Sequence, residues 1–190
     1  MNILVLDNEG YDNTGGQTSK ATPIGAEAKF SFNGKQTKKK DLGQLMMHYE
    51  NAYVASVAIG ADQEQTLKAF NEAESFDGPS IIIAYCHSNA HGIDMKSPSQ
   101  YHKAAVLSGQ WPLYRYDPRR LEKGLSSFQL DSNRPSITIE QYLRMEKRFN
   151  KTLQNKDANA WIEKAQSDID RRYQSYLWKS SSEIQVPVII

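Results

Sequence analysis

Three short apolar runs, separated by segments with helical spacing, restrict this chain to an α/β architecture. The runs are NILVLD (Asn2 to Asp7), AYVASVAI (Ala52 to Ile59) and SIIIAY (Ser80 to Tyr85). Each has the length and the near-continuous hydrophobicity of a strand buried in a parallel sheet. Between them lie helix signals. Asp41 can cap a short helix with Leu42, Leu45, Met46 and Tyr49 as its apolar positions. Asp62, followed three residues later by Gln65, resembles a capping box for a helix to about Glu74, with Leu67, Phe70 and Ala73 facing inward. Ser97-Pro98 has the Ser-cap, Pro-first arrangement of another helix. WPLYRY (Trp111 to Tyr116) reads as a further strand. Alternating strands and helices predict an open, mainly parallel sheet flanked by helices over residues 1–116.

Past Asp117 the pattern changes. Residues 117–136 carry scattered turn formers and predict a loop lying over the domain. Thr138 and Gln141 form a second box, opening a helix to about Asn150. Asp157 to Trp178 predicts a long amphipathic helix, with Trp161, Ile162, Ala165, Ile169, Tyr173, Tyr176 and Leu177 on one stripe. Residues 117–190 are thus expected to form a loop and a helical C-terminal extension that packs on residues 1–116.

Charge excludes two partner classes. With 23 basic and 22 acidic residues among 190, the net charge of +1 offers no field for nucleic acid or a membrane surface. No apolar run approaches the roughly 20 residues of a membrane span, and no signal peptide is visible at the start. A single cysteine rules out an intrachain disulfide and suits a reducing compartment, so a cytoplasmic location is expected.

The most chemically suggestive segment directly follows the first apolar run. Asn8-Glu9-Gly10-Tyr11-Asp12-Asn13-Thr14-Gly15-Gly16-Gln17 would sit at the carboxyl edge of the sheet, where open α/β folds bind ligands. Asn, Asp and Gly also make ordinary turns, and a plain turn is the competing reading. As a ligand loop it offers hard oxygen donors, the Asn8 side chain and the Gly10 carbonyl among them, of the kind Mg²⁺ takes alongside substrate phosphates.

The wider string LDNEGYDNTGGQ resembles the thiamine-diphosphate segment of pyruvate:ferredoxin (flavodoxin) oxidoreductases at Asp7, Asn8, Glu9, Tyr11, Asn13, Thr14, Gly15 and Gln17. The likeness continues in order through KKKDLG, NAYVASVAIGA, TLKAFNEAESFDGPSIIIAY, AHGIDM, WPLYRYDP and FQLDS. The resemblance implies the C-terminal part of a thiamine-diphosphate-binding fold, incomplete at its N-terminus. It implies cofactor binding by Asn8, Glu9, Gly10, Tyr11, Asp12, Asn13, Thr14 and Gly15. Asn8, often Thr in the family, and the Gly10 carbonyl would ligate magnesium; Asn13 would face thiazolium and pyruvate as the catalytic residue. It further implies a 4Fe–4S cluster, with pyruvate, coenzyme A and ferredoxin or flavodoxin served by the whole enzyme. Family members carry a Gly-Asp-Gly segment a few dozen residues before this strand. No such segment occurs here, so a fragment, a truncated reading frame or a subunit completed by a partner is expected.

Cys86 stands apart from that pattern. Similar family members read Tyr-Ser-His-Cys, the cysteine ligating the cluster nearest the thiamine; this chain reads Tyr85-Cys86-His87-Ser88. Positions i and i−2 of a strand share a face but lie roughly 6.6 Å apart. Cys86 is therefore either a cluster ligand or a small buried hydrophobe. Cys86, His87 and His91 lack the fourth ligand of structural zinc, and His91 is expected to bond backbone instead. Lys35 and Lys38 to Lys40 read as a solvated loop, or as a clamp for an anion or acidic ferredoxin. Three functions follow: part of a pyruvate oxidoreductase, inactive alone; a non-catalytic interaction module; or a non-redox thiamine-dependent 2-oxo acid decarboxylase component.

Overall fold

The computed structural model describes residues 1–181. Five strands form one sheet: β1 (Asn2–Asp7), β2 (Tyr53–Val57), β3 (Ser80–Tyr85), β4 (Tyr114–Tyr116) and β5 (Phe128–Leu130), in the order β1-β3-β2-β4-β5. The first three run parallel. Around them lie α1 (Leu42–Met47), α2 (Gln63–Glu74), α3 (Pro98–Leu107), α4 (Ile139–Leu143), α5 (Asn150–Gln154) and α6 (Ala158–Ser181). An open α/β sheet flanked by helices is therefore what the chain forms.

The sheet has two unequal faces. On one, Val54, Ile81, Ile83 and Tyr85 meet Ala104 and Ala105 of α3, Trp111, and Ala165, Ile169 and Tyr176 of α6. On the other, Tyr53, Ala55, Val57 and Ile82 are covered by Ala69 and Ala73 of α2. That thinner layer accounts for one departure from the expected pattern. Helix α2 sits on β2 and β3 through its small and polar side, Gln65, Thr66, Ala69 and Ala73, which permits close approach. Leu67 and Phe70 instead remain exposed, at 64% and 42%. The Asp62 carboxylate accepts from Gln65 N–H as expected, but the Gln65 side chain turns to Ser56 O and Asp131 rather than closing the box.

Strand β1 departs further. It is an edge strand, and Leu4 and Leu6 are 50% and 65% exposed rather than buried. Their register partners on β3 are Ile82 and Ala84, so they belong to the α2 face, beyond the reach of that helix.

The region after Asp117 also differs from a plain loop. Pro118–Lys123 form a 3₁₀ turn capped by Asp117, and β5 then pairs antiparallel with β4, itself antiparallel to β2. Tyr114, Phe128 and Tyr176 stack with ring centroids 5.2 Å apart, joining both strands to α6. The Thr138/Gln141 capping box is present, but α4 is a single short helix followed by a 3₁₀ turn, Lys147–Phe149, and α5. Helix α6 buries Ala165, Ile169 and Tyr176 and leaves Leu177 exposed. Residues 182–190 of the expected extension lie outside the described residues.

Arg115 on β4 pairs with acids, as its core position requires. Its Nη1 donates to Glu72 at 2.6 Å and its Nε and Nη2 hold Asp131 at 2.9 and 2.8 Å, linking α2 to the segment after β5. Arg115→Met leaves both carboxylates without their cation, and should cost about 3 kcal/mol of stability in urea unfolding, the usual loss for half of a largely buried pair. An unchanged midpoint would show that water replaces the guanidinium without penalty.

Candidate functional site

The loop after β1 and the turn after β3 emerge side by side at the carboxyl edge of the sheet, since Asp7 and Tyr85 are register partners. Asp7 Oδ1 accepts from the Glu9 amide, and Glu9 takes a positive φ of 60°. Left-handed backbone is costly for a residue with a side chain, so surrounding contacts must hold it. Gly15 and Gly16, at φ 108° and 80°, then close a tight turn in which Tyr11 O accepts from the Gly16 and Gln17 amides.

Following the backbone carbonyls along this loop isolates one of them. Asp7 O accepts from Cys86 N–H, Asn8 O from His91 Nε2, and Glu9 O from Thr22 Oγ1. Tyr11 O and Asp12 O accept from amides of the turn. Among the described residues the Gly10 carbonyl alone in this stretch receives no donor. Asn8 donates through Nδ2 to Asp12 at 2.9 Å, which leaves its Oδ1 unengaged. The Asp12 carboxylate also borders Gly10, where an added Cβ would lie 3.1 Å from Oδ1. Neutral oxygens from Asn8 and Gly10 beside one carboxylate suit a hard cation that keeps phosphate or water ligands. No group of three or more His, Cys, Asp or Glu is gathered among the described residues as a self-sufficient metal site.

Beneath these oxygens lies a buried charge cluster. Glu9, 2% exposed, points inward, away from the loop surface. Its Oε1 accepts from Lys39 Nζ at 2.9 Å and its Oε2 from Arg148 at 2.6 Å. Lys39 also holds Asp7 at 2.8 Å, and Arg148 Nε donates to Glu146 at 2.6 Å. Tyr142 and Tyr85 donate to the same Glu146 carboxylate. Burial alone would push the Glu9 carboxyl up. Lys39 and Arg148 outweigh it and bring the group down to about 2. His91 is held below its ordinary range by burial and by Arg148, so it is neutral at pH 7. Its Nε2 faces a carbonyl at 2.7 Å and must carry the proton; its Nδ1 is buried without a partner.

The other expected site residues divide clearly. Tyr11, Asn13, Thr14 and Gly15 are exposed on the loop, whereas Asn8, Gly10 and Asp12 are half-buried. Thr14 Oγ1 is tied to Gln17 within the turn. Lys29, not singled out by the sequence, lies over Gly15 so closely that a side chain there would collide with its ammonium.

At Cys86 the strand argument does not apply, because β3 ends at Tyr85. Ser88 caps a 3₁₀ turn, Asn89–His91, accepting from Ala90 N–H. Burial pushes the Cys86 thiol up, and the Asp12 and Asp7 carboxylates push it further. His87 pairs with His102 at 2.9 Å, and His91 bonds backbone, so neither joins Cys86 at a zinc site.

The lysine run is not solvated throughout. Lys35 is buried and donates to the carbonyls of Lys20 and Thr22, Lys39 belongs to the charge cluster, and Lys38 pairs with Asp168 at 3.2 Å. Arg148 and Glu146 carried no local signal, because Arg148 meets Glu9 across 139 positions of sequence and Glu146 reaches the cluster through Arg148.

Fold and site together define a class: residues 1–84 match the family model of the thiamine pyrophosphate enzyme C-terminal TPP-binding domain. Over nearly its whole length the chain resembles the C-terminal thiamine-diphosphate-binding region of pyruvate:ferredoxin (flavodoxin) oxidoreductases. It is 52% identical over 183 residues, 95% of this chain, to a pyruvate-flavodoxin oxidoreductase of Nostoc, and 50% identical over 97% of this chain to that of Trichormus variabilis. A pyruvate:ferredoxin oxidoreductase of Moorella thermoacetica is 46% identical over 93% of this chain. The chain spans only 15 to 16% of the length of these relatives.

The charge cluster makes an acid-range prediction. Because Glu9 titrates lower folded than unfolded, its contribution is complete above its ordinary value of 4.5 and is lost as pH falls toward about 2. Unfolding free energies of the chain and of Glu9→Gln, followed from pH 6 to pH 2, should converge on acidification. Parallel curves would exclude the ion pairs as its source.

Proposed function

We propose that this chain supplies the C-terminal, metal- and thiazolium-facing half of a thiamine-diphosphate site in a pyruvate:ferredoxin or flavodoxin oxidoreductase. The observation that carries the reading is the pair of unengaged oxygens, Asn8 Oδ1 and Gly10 O, at the carboxyl edge of a domain that matches the thiamine-binding family. Asn8 and Gly10 hold magnesium, with Asp12 adding negative charge beside it. Gly15 and Thr14 line the diphosphate, Tyr11 borders the site, Glu9 shapes it from behind, and Asn13 faces thiazolium and pyruvate. Thiamine diphosphate, when bound, supplies the nucleophilic carbon and the electron sink for decarboxylation. The protein's part is to fix the metal through neutral oxygens, to orient the ring, and to hold Asn13 where it donates a hydrogen bond to the 2-oxo acid.

The whole enzyme would oxidatively decarboxylate pyruvate, pass electrons through iron–sulfur clusters to ferredoxin or flavodoxin, and form acetyl-CoA from coenzyme A. The share of relatives' length spanned here supports further domains or subunits as partners. The uncovered apolar side of β1, where Leu4 and Leu6 are exposed, supports one of them covering that edge. In this reading residues 1–116 are the cofactor-binding part and residues 117–190 an extension that braces it. No helix among the described residues is long and apolar enough to cross a membrane.

A second reading has a specific observation behind it. Ser88 stands where similar enzymes carry a cluster cysteine, and here it caps a turn. Cys86, with its raised thiol, is a weak source of the thiolate that a cluster needs. A non-redox decarboxylase component or a non-catalytic interaction module would need no cluster there.

The test is made on the enzyme that contains this region. Asn13→Ala should lower pyruvate-dependent reduction of a low-potential dye about a hundredfold, the scale for removing one positioned donor. Full activity in Asn13→Ala would remove the catalytic assignment. Cys86→Ala should lower cluster iron and dye reduction together if Cys86 is a ligand. Unchanged iron and dye reduction would remove Cys86 as a ligand, and an unsubstituted enzyme that decarboxylates pyruvate without cluster iron would favour the non-redox component.

A further inference from the structure

We infer that Arg148 is a positioning residue for the metal-facing oxygens of Asn8 and Gly10, acting through Glu9 and backed by Glu146. The inference rests on the proposed thiamine site and goes beyond it, because it places a control point of the loop in the C-terminal region, 139 residues away.

The geometry is an alternation. Asn8, Glu9 and Gly10 are consecutive, and the middle side chain is driven inward while the flanking oxygens are left unengaged on the other side. Glu9 adopts a positive φ that a residue with a side chain rarely takes, so something outside the loop must hold it. Four contacts do so. Arg148 and Lys39 grip the two carboxylate oxygens at 2.6 and 2.9 Å, Thr22 Oγ1 donates to Glu9 O at 2.7 Å, and Asp7 accepts the Glu9 amide. Of these, Arg148 alone comes from the C-terminal region. It is in turn fixed by Glu146, which Tyr85 and Tyr142 hold by their hydroxyls. A guanidinium suits this role because one planar fork serves two carboxylates, Glu9 through Nη2 and Glu146 through Nε. The chain Glu146–Arg148–Glu9 therefore acts on the loop as an outer shell acts on metal ligands. Next to it, His91 fixes the Asn8 carbonyl, completing the hold on the ligand-bearing residues.

Two variants of the full chain test this. Glu9→Gln removes the charge but leaves Lys39 with Asp7 and Arg148 with Glu146, so the fold is retained. Arg148→Lys keeps the charge but cannot serve both carboxylates. Amide exchange of Gly15, Gly16 and Gln17, followed by NMR without cofactor, reports the loop; that of Ile82 and Ile83 in β3 reports the sheet. Both variants should accelerate loop exchange about tenfold beyond what the fall in global stability, read from Ile82 and Ile83, accounts for, as expected for added local opening. Glu9→Asp, one methylene shorter, should not rescue the loop.

Calorimetric titration with Mg²⁺ and thiamine diphosphate, on the assembled enzyme, should show apparent metal affinity falling about tenfold or more in both variants. Unchanged loop exchange, or equal acceleration of loop and sheet, would overturn the positioning role. Accelerated loop exchange in a protein whose wild type binds no Mg²⁺–thiamine diphosphate would leave the positioning of the loop standing and remove the thiamine reading instead.

Discussion

Glu9 carries a full charge with almost no water around it, and much of the molecule is arranged to make that tolerable. Removing a carboxylate from water is unfavourable by several kcal/mol unless cations and hydrogen bonds replace the solvent. Here the replacement comes from three distant places: Lys39 before α1, Arg148 between α4 and α5, and the Thr22 hydroxyl on the Glu9 backbone. Each tie crosses from one part of the chain to another. The cluster therefore joins the end of β1, the loop that follows it and the C-terminal helices into one unit. Arg148 is satisfied by Glu146, and Glu146 by two tyrosines, so no charge of the cluster is left alone.

That construction explains how a loop of Asn, Asp, Thr and Gly can be a site rather than a turn. A turn with those residues would ordinarily use its carbonyls on its own amides. In this one, Cys86, His91 and Thr22 take the carbonyls of Asp7, Asn8 and Glu9, the turn's amides take those of Tyr11 and Asp12, and the Gly10 carbonyl is left unengaged. The same edge is where parallel strands of an α/β sheet present ligand loops. The sheet is covered thickly on the α3/α6 face and thinly on the α2 face, where β1 exposes leucines. The edge that carries this loop and the uncovered strand are contiguous, which fits a site shared with another part of a larger protein.

Much of this was legible from local sequence. The three parallel strands, the Asp41, Asp62 and Thr138 caps and the long final helix all follow from short-range rules. What escaped was set by tertiary context. Apolar periodicity assigned Leu67 and Phe70 to the core, but the sheet accepts α2 through alanines and Thr66, whose small size allows closer approach. NILVLD reads as buried because its composition is that of a central strand; its place at the sheet edge is a matter of topology. The β4–β5 pairing hides in three-residue strands too short for a period to register. The role of Glu9 as an inward anchor has no local mark, since both cations that fix it are separated from it by 30 and 139 positions.

The central claim is that the loop presents the Asn8 side-chain oxygen and the Gly10 carbonyl to a metal. The most direct measurement is anomalous diffraction from crystals of the enzyme containing this region, grown with thiamine diphosphate and Mn²⁺ in place of Mg²⁺. A manganese peak within ligand distance of both oxygens, roughly 2.1 to 2.2 Å, is what the account predicts. Manganese bound elsewhere, with Gly10 O still unengaged, would contradict it.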